Sequence, residues 1–285
     1  MGKVYLITGT STGFGRALAE VVLARGDSAV VTARRTETLV DLVERYPETA
    51  LAVKLDVTND EDRKAAIRAT MNRFGRLDVL VNNAGQGSLG AIEEFSSEQI
   101  RSQFEVNAFG VIEMTRAALP VFRQQRSGHI LCVTSVGGIV SMGGFSLYCA
   151  TKYAVEGFAE GLRDEAKSFG VKVTLVEPGA FRTDFAGSAN MRPAKEIEEY
   201  SACIEPLKEY LYGGDGKQPG DPKKAAEAMV AVVESEEPPL RLLLGADAYS
   251  VWEQKSAERE ADFSAWREVG LATAFEGESV RPIGG

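Results

Sequence analysis

The sequence predicts an α/β protein built on a doubly wound parallel sheet of about seven strands, with helices on both faces. Two observations support this prediction. Short runs such as Val4–Ile7 are apolar at every position, which is typical of parallel strands that are buried on both faces. These runs alternate with patterns of helical periodicity, and the connections between them are short, as in sheets whose crossovers are helices.

The elements follow one another in a regular order. We predict strands at residues 4–7, 29–32, 51–55, 79–81, 129–134, 171–176 and 240–244. We predict helices at residues 16–25, 36–45, 60–73, 97–126, 148–168, 222–233 and 246–269. The helical pattern over residues 97–126 is expected to be broken or bent near Gly110.

The alternation stops after Gly179 and resumes at Pro222. An insertion of this length is too long for an ordinary connection and often marks an active-site lid. We therefore predict one domain over residues 1–245, with a mobile lid at 186–220, followed by a charged C-terminal extension at 246–285. A rigid excursion that packs against a partner subunit is the alternative to the lid.

The composition excludes several classes of function. The net charge of −9 argues against nucleic acid or an anionic membrane as the main partner, because both need a cationic surface. Cys132, Cys149 and Cys203 form no CxxC pair and His129 is the one histidine, so no metal site is expected. Dispersed cysteines, the lack of a signal-peptide pattern and the lack of an apolar run of ~20 residues predict a cytoplasmic protein without a membrane span.

A glycine-rich loop joins the first predicted strand to the first predicted helix. Its glycines are Gly9, Gly13 and Gly15, and Ser11 and Phe14 lie between them. Glycine lets the backbone approach a pyrophosphate closely, and the helix N-terminus supplies amide donors and a favourable dipole. The GxxxGxG spacing differs from the commonest GxGxxG fingerprint, and a plain structural turn is the alternative. The position between a strand and a helix favours a phosphate-binding site.

Arg34 and Arg35 follow the second predicted strand. In a dinucleotide-binding fold an acidic residue at this place receives the ribose hydroxyls of the adenosine, whereas an arginine accommodates a 2′-phosphate. Ala33 ends the strand, and no Asp or Glu is present there. A solvated loop with two arginines is the alternative.

Tyr148 and Lys152 are four residues apart at the start of a predicted helix, so their side chains lie on one face. A nearby ammonium group favours the phenolate and lowers the tyrosine pKa, which makes the hydroxyl a usable proton donor near neutral pH. This pair alone arises readily by chance. Ser135, just past the fifth predicted strand, and Asn107, in the helical pattern before it, add to the signal.

Together these residues resemble the short-chain dehydrogenase/reductase family. The features that match in order and spacing over residues 3–185 are the glycine loop, Asn82-Asn83-Ala84-Gly85, Asn107, Ser135, Tyr148, Lys152, Pro178-Gly179 and Thr183. The resemblance implies a Rossmann-type sheet. It also implies an oxidoreductase that transfers a hydride between a nicotinamide dinucleotide and an alcohol/carbonyl pair.

The resemblance implies a role for each catalytic residue. Tyr148 would be the general acid in reduction and the base in oxidation, and Lys152 would lower its pKa and bind the nicotinamide ribose. Ser135 would polarise the substrate carbonyl. Asn107 would hold a helix bend and a water that relays protons to Lys152.

The resemblance also implies the contacts of the cofactor. Asp56 and Val57 would contact the adenine, Asn83 and Gly85 the adenosine side of the cleft, and Pro178, Gly179 and Thr183 the nicotinamide. Arg34 is similar to the arginine of members that prefer NADP(H) over NAD(H).

The segment between Ser135 and Tyr148 lines the substrate pocket in this family. Here it consists of glycines and apolar residues, namely Gly137, Gly138, Ile139, Val140, Met142 and Phe145. We therefore predict a medium-sized, apolar ketone or secondary alcohol as the substrate; ordinary packing of these residues is the alternative. The longer C-terminal tail and the residues within the motifs resemble the branch of the family that contains 17β-hydroxysteroid and retinol dehydrogenases. A fold does not by itself determine the substrate.

Three other functions fit the same motifs less well. A ketoreductase for a carrier-bound 3-oxoacyl group keeps the same motifs, but an acidic chain with few basic residues flanking the pocket disfavours it. A non-catalytic NADP-sensing protein typically loses the tyrosine or lysine, and a sugar-nucleotide epimerase usually has a different glycine spacing. The family commonly forms homodimers or homotetramers through its two long helices, and the extension is placed to block one such interface.

Overall fold

The computed structural model describes residues 2–187, 190–275 and 277. In chain order its strands are β1 (Val4–Ile7), β2 (Ser28–Ala33), β3 (Ala50–Lys54), β4 (Val79–Asn82), β5 (Gly87–Ser88), β6 (Gly128–Val133), β7 (Val171–Pro178), β8 (Asn190–Met191) and β9 (Arg241–Leu244). The α-helices are α1 (Gly13–Ala24), α2 (Val40–Arg45), α3 (Asp60–Phe74), α4 (Ser97–Phe104), α5 (Gly110–Gln125), α6 (Ser146–Lys167), α7 (Ser201–Gly213), α8 (Pro222–Glu234), α9 (Ala246–Ala265) and α10 (Arg267–Leu271).

Seven of the strands form one parallel sheet in the order β3-β2-β1-β4-β6-β7-β9, which confirms the predicted fold class. The chain builds outward from β1 in one direction through β2 and β3, and in the other direction from β4 onward. The connections that leave β1 and β4 therefore diverge and leave a crevice at the carboxyl ends of these two strands, where ligands bind in sheets of this kind.

Each face of the sheet is covered by helices. On one face α1 and α8 pack together, and their buried side chains include Leu18, Val22, Met229 and Val230. The other face is covered by α3, α5 and α6, which contribute Ile67, Met114, Phe122, Val155 and Leu162 to a second cluster. The strands between these layers are buried on both sides, and this explains why they are apolar at consecutive positions.

The helical pattern over residues 97–126 is divided where the sequence predicts a bend. A π-helical turn at Glu105–Phe109 separates α4 from α5, and turns of this type occur frequently at functional sites. Gly110 is the first residue of α5, and a Cβ there would lie 2.8 Å from the Cγ2 atom of Val57, so a larger side chain would not fit without a shift.

Two other predicted helices are also divided. The helix predicted at residues 36–45 begins as a 3-10 turn, Thr36–Leu39, before α2. The one predicted at residues 246–269 is interrupted at Trp266, between α9 and α10. The predicted mobility of residues 186–220 remains a prediction. This segment contains β8 and α7, and Ser188 and Ala189 lie outside the described residues.

In the C-terminal extension, residues 276 and 278–285 lie outside the described part of the chain. Among the helices that the structure describes, none combines the length and the apolar character needed to cross a bilayer.

Candidate active site

The glycine-rich loop lies at the crevice between β1 and β4. Gly9 and Gly13 have φ angles of +70° and +61°, in the left-handed region that favours glycine. A Cβ on Gly15 would lie 2.4 Å from the carbonyl oxygen of Gly9. The loop is therefore tightly turned, and it leads directly into the N-terminus of α1, with Ser11 exposed at its tip.

Thr8 and Asn83 fix the loop against the end of β4. The Thr8 hydroxyl accepts hydrogen bonds from the backbone N–H groups of Asn83 and Ala84, both at 2.9 Å. The Asn83 amide nitrogen donates to the carbonyl oxygens of Thr8 and Gly9, at 2.8 and 2.9 Å. The amide nitrogen of Asn83 thus holds the glycine loop, and the cofactor contact that the family resemblance implies for Asn83 remains a prediction.

The segment that follows β7 forms the opposite wall of the crevice. A Cβ on Gly13 would lie 3.5 Å from the Cβ of Thr183, and the rings of Phe14 and Phe181 meet edge to face with centroids 5.1 Å apart. Pro178 is buried and Gly179 is partly exposed at the end of β7. The residues expected at the pyrophosphate and those expected at the nicotinamide thus face each other.

Arg34, Asp56 and Val57 lie together at the ends of β2 and β3. Arg34 is exposed, and in the described part of the chain it takes part in no ion pair within 4.0 Å. Burial raises the pKa of Asp56, but hydrogen bonds from Thr58 and the charge of Arg34 outweigh it, so the net pKa is lowered. Val57 is 7% exposed.

Asn107 lies in the π-helical turn and is fully buried. Its amide nitrogen donates to the carbonyl oxygen of Gln86 at 2.8 Å and to the Thr151 hydroxyl at 3.2 Å, and its oxygen accepts from the Gln86 N–H at 2.9 Å. A Cβ on Gly85 would lie 3.4 Å from Asn107 Oδ1 and 3.6 Å from Lys152 Nζ. Gly85 is therefore beside the catalytic candidates, and the contact with the adenosine side of the cleft that the resemblance implies remains a prediction.

Ser135, Tyr148 and Lys152 meet where β6 ends and α6 begins. Ser135 caps a 3-10 turn, and its hydroxyl accepts from the N–H of Gly137 at 3.0 Å. A Cβ on Gly137 would lie 3.4 Å from Ser135 Oγ and 3.2 Å from the Tyr148 ring, so the two side chains lie next to each other. Lys152 Nζ donates to the carbonyl oxygen of Val133 at 2.9 Å and lies 5.7 Å from the centroid of the Tyr148 ring. The structure therefore brings the predicted catalytic side chains together.

Burial controls the pKa values of this pair. It lowers the pKa of Lys152 from 10.5 to about 8, although Cys132 and Glu156 act in the opposite direction. It raises the pKa of Tyr148, and the neighbouring Ser135 hydroxyl only reduces that shift. The shift of Tyr148 is opposite to the one predicted from its spacing to Lys152, because the loss of solvation is the largest effect on both groups.

Phe185 covers the Tyr148 ring. The two rings meet edge to face with centroids 5.3 Å apart, and Tyr148 is only 8% exposed. The pairing of β5 with β8 holds this cover, and a Cβ on Gly87 would meet the Phe185 ring at 2.5 Å. From the sequence, Phe185 is only one of several aromatic residues in an irregular segment, and its contact with Tyr148 was not predicted.

Asp247 and Arg259 of α9 are contacts that the sequence did not indicate. Asp247 Oδ2 accepts a hydrogen bond from the N–H of Ala180 at 2.6 Å, directly after Gly179. The Arg259 guanidinium donates to the carbonyl oxygen of Ile139 and to the hydroxyl of Tyr153. No sequence pattern identifies these partners, since they are 67, 120 and 106 residues away.

Comparisons with known proteins agree with this geometry. The family model for short chain dehydrogenases matches residues 3–194. The chain is 40% identical over 275 residues to an oxidoreductase of Botryotinia fuckeliana, covering 96% of this chain and 100% of that protein. It is 33% identical over 245 residues to a 3-ketodihydrosphingosine reductase of Bacteroides thetaiotaomicron, covering 85% and 88% of the two chains.

Solved structures show the same similarity. A short-chain dehydrogenase from Streptomyces avermitilis is 44% identical, with a TM-score of 0.91 and coverage of 96% of this chain and 100% of that one. A short chain dehydrogenase/reductase from Burkholderia phymatum in complex with NAD is 25% identical, with a TM-score of 0.81 and coverage of 92% and 95%. An alcohol dehydrogenase from Thermococcus sibiricus complexed with 5-hydroxy-NADP is 25% identical, with a TM-score of 0.70 and coverage of 86% and 96%.

Proposed function

This chain belongs to the short-chain dehydrogenase family, and we propose that it is an NADP(H)-dependent oxidoreductase for a medium-sized, apolar ketone or secondary alcohol. The observation that carries the proposal is the convergence of Asn107, Ser135, Tyr148 and Lys152 at the dinucleotide crevice.

The crevice fits a nicotinamide dinucleotide. Gly9, Gly13 and Gly15 let the loop turn tightly in front of α1, and the amide donors at the N-terminus of this helix suit a pyrophosphate. When bound, the nicotinamide supplies or accepts the hydride. Gly85 and Lys152 lie on the catalytic side of the crevice, and the turn after Gly179 suits the nicotinamide end.

We assign the proton transfer to Tyr148. In reduction its hydroxyl gives a proton to the substrate oxygen as the hydride reaches the carbonyl carbon, and in oxidation the phenolate takes the proton back. Ser135 donates a hydrogen bond to the same oxygen, where negative charge develops. Lys152, with a pKa of about 8, carries a positive charge at neutral pH and stabilises the phenolate. Asn107 holds Gln86 and Thr151 by hydrogen bonds. We assign to it a second role, which is to bind a water molecule that relays protons to Lys152.

The preference for NADP(H) rests on Arg34. An exposed guanidinium without an ion pair in the described residues is available for a 2′-phosphate. The structural relatives include one complex with NAD and one with 5-hydroxy-NADP, so a nicotinamide cofactor is common to both.

The apolar substrate is supported by the residues around Gly144. A Cβ there would meet Leu207, Leu89 and Ile204 at 2.8 to 3.2 Å, and Phe185 lies against Tyr148. One relative is named for the reduction of 3-ketodihydrosphingosine.

We also propose a homodimer or homotetramer that assembles through the long helices. Phe109, next to α5, is 50% exposed and Tyr153, on α6, is 37% exposed. Arg259 already contacts Tyr153, so the extension restricts the α6 face. Size-exclusion chromatography with light scattering measures the molar mass of the assembly. A monomer at all protein concentrations would contradict this proposal.

The test of the proposed function is consumption of NADPH with a panel of apolar ketones. The native protein is expected to turn over at least one of them. Tyr148→Phe should bind NADPH normally and lose ~10²–10⁴-fold in turnover, since it keeps the ring and lacks the proton. Binding of NADPH without turnover of any ketone or alcohol would favour a sensing protein, and normal turnover by Tyr148→Phe would contradict the mechanism.

A further inference from the structure

Two carboxyl groups are buried directly behind the candidate catalytic residues. Glu177, the penultimate residue of β7, has no exposed surface, and Glu156 on α6 is 5% exposed. Buried carboxyl groups are costly unless they are paired, so their partners require explanation.

Arg241 does not neutralise this cluster by itself. Its Nε atom lies 3.1 Å from Glu156 Oε2 and 3.2 Å from Glu177 Oε1, and its Nη2 atom lies 2.6 Å from Glu160 on the surface. One positive charge thus faces three carboxyl groups. The Thr134 hydroxyl donates to Glu156 Oε1 at 2.7 Å.

Glu177 has no comparable donor. Neither of its oxygens receives a hydrogen bond from the described part of the chain, although both are buried. Glu156 and Glu177 approach the same nitrogen atom, Nε of Arg241, at 3.1 and 3.2 Å, so the two buried carboxyl groups lie side by side. Two carboxyl groups can hydrogen-bond with each other only if one of them is protonated.

We propose that Glu156 and Glu177 share one proton, with Glu177 as the donor, and that this carboxyl pair acts as a positioning device for the catalytic residues. The role of this pair in turnover rests on the proposed function, whereas the shared proton is independent of that function.

The pair is connected to each element of the site. Thr134, which Glu156 holds, immediately precedes Ser135. Lys152 lies one turn before Glu156 on α6, and Glu177 immediately precedes Pro178 at the end of β7. A shared proton therefore ties the ends of β6 and β7 to α6. Gly138 leaves room for this contact, because a Cβ there would lie 3.0 Å from Glu156 Oε1.

The charged and titratable groups around the pair are Lys152 and Glu160 on α6, Arg241 on β9 and Cys132 on β6. The two cations favour ionised carboxylates, whereas burial and the closeness of other carboxyl groups favour a bound proton. Burial raises the pKa of both carboxyl groups, and the neighbouring charge of Glu156 raises the pKa of Glu177 further, whereas Arg241 opposes the shift.

The raised pKa of Glu177 determines the sign of its pH effect. Between the ordinary pKa of a glutamate and this raised value, the folded chain binds one more proton than the unfolded chain. The contribution of Glu177 to stability is thus fully present at low pH and is lost as the pH rises.

Infrared spectroscopy tests the shared proton without any substrate. Native protein in D₂O at neutral pH should show absorption from a protonated carboxyl group that disappears in Glu177→Gln. The matched control is Glu160→Gln, which removes the exposed carboxylate at the same arginine and should keep the signal. Absence of the signal from native protein, or its persistence in both Glu177→Gln and Glu156→Gln, would overturn the proposal.

Denaturation with urea is the second readout. Glu177→Gln resembles the protonated side chain at every pH, so the native protein should lose stability relative to this variant as the pH rises from 6 to 9. A constant difference in denaturation midpoint between the two proteins over this range would overturn the shared proton even if the variant is less stable.

Activity tests the positioning role. Glu177→Ala should lower kcat by about tenfold or more, since small displacements of reacting groups have effects of this size. Glu177→Gln should restore kcat to within about twofold, because the amide keeps the donor. Equal kcat in native protein and Glu177→Ala would overturn the positioning role. A protein that reduces no carbonyl compound would refute the proposed function, while the infrared result would still decide the shared proton.

Discussion

At the scale of single residues, burial is the largest effect on the pKa values of the two candidate proton-transfer groups. Tyr148 and Lys152 lose solvation at the base of the crevice, which favours the neutral form of each. A neutral tyrosine is the form that donates a proton to a carbonyl oxygen. The lysine is cationic below about pH 8 and loses its charge above that value.

The lowered pKa of Lys152 predicts a pH-dependent stability. The folded chain releases the lysine proton at about 8, whereas the ordinary pKa is 10.5. Between these values the unfolded chain binds more protons, so the free energy of unfolding rises with pH. The native protein should gain up to about 3 kcal/mol relative to Lys152→Met over this range, at ~1.4 kcal/mol per pKa unit.

Urea denaturation at several pH values measures this difference. Lys167→Met, which alters an exposed lysine on the same helix, is the matched control and should follow the native protein. Parallel curves for native protein and Lys152→Met from pH 7 to 10.5 would show that Lys152 titrates normally.

Arg34 predicts the preference for the cofactor. Arg34→Ala should weaken NADPH binding by ~1.5–3 kcal/mol, or about 10- to 100-fold, because it removes a hydrogen bond to a charged group. NADH binding should change little. Titration with both dinucleotides measures the effect, and Arg123→Ala, an exposed arginine on α5, is the control. Equal affinity of the native protein for NADH and NADPH would contradict the assignment.

At the scale of elements, α9 is more than an appended helix, because it contacts both sides of the site. Asp247 holds the turn after β7, and Arg259 holds Ile139 in the segment that follows Ser135. Gly179 is required there, since a Cβ would lie 2.4 Å from Asp247 Oδ2.

Removing the Asp247 carboxylate should therefore affect both stability and the cofactor site. Asp247→Ala should lower the free energy of unfolding by ~1–3 kcal/mol, because the Ala180 N–H loses its charged acceptor. It should also weaken NADPH binding, because Gly179 borders the proposed nicotinamide position. Denaturation and cofactor titration measure the two effects. Glu253→Ala, an exposed carboxylate on α9, should change neither. Tight NADPH binding by a stable Asp247→Ala would show that α9 does not influence the site.

At the scale of the whole molecule, residues 186–220 are joined to the rest of the protein by hydrogen bonds to Glu94 and to Gln99 of α4. Glu94 Oε1 accepts from the N–H of Ile197 at 2.9 Å, and Gln99 donates to the carbonyl oxygen of Arg192 at 2.7 Å. Beyond these contacts most of α7 is exposed, and Ile204 is its one fully buried side chain. Elements with few buried contacts are those that unfold locally most readily.

We therefore predict that this segment moves as a lid. Backbone amides of α7 should exchange rapidly with solvent in the protein alone and become protected when NADPH and an inhibitor bind. Hydrogen exchange with mass spectrometry measures this, and the amides of α1 and α5 provide the reference. Strong and equal protection of α7 in both states would instead favour a rigid excursion packed against a partner subunit.

The sequence by itself determined the parallel sheet, most element boundaries and the candidate catalytic residues. Continuous apolar strands and helical periodicity are local patterns, and each follows from the burial of one element. The bend near Gly110 was predictable from a glycine inside a helical pattern, although its π-helical form was not. Tyr148 and Lys152 share a spacing within one helix, and they became catalytic candidates only together with Asn107, Ser135 and the resemblance to a family.

Only the tertiary structure decided the environment of those residues. The pKa of Tyr148 moves opposite to the prediction because solvation depends on everything packed around the ring, including Phe185. Asp247 and the Glu156–Glu177 pair were not recognisable for a related reason. Their partners lie on other elements, and a lone carboxylate in a sequence carries no sign of the chain that will surround it.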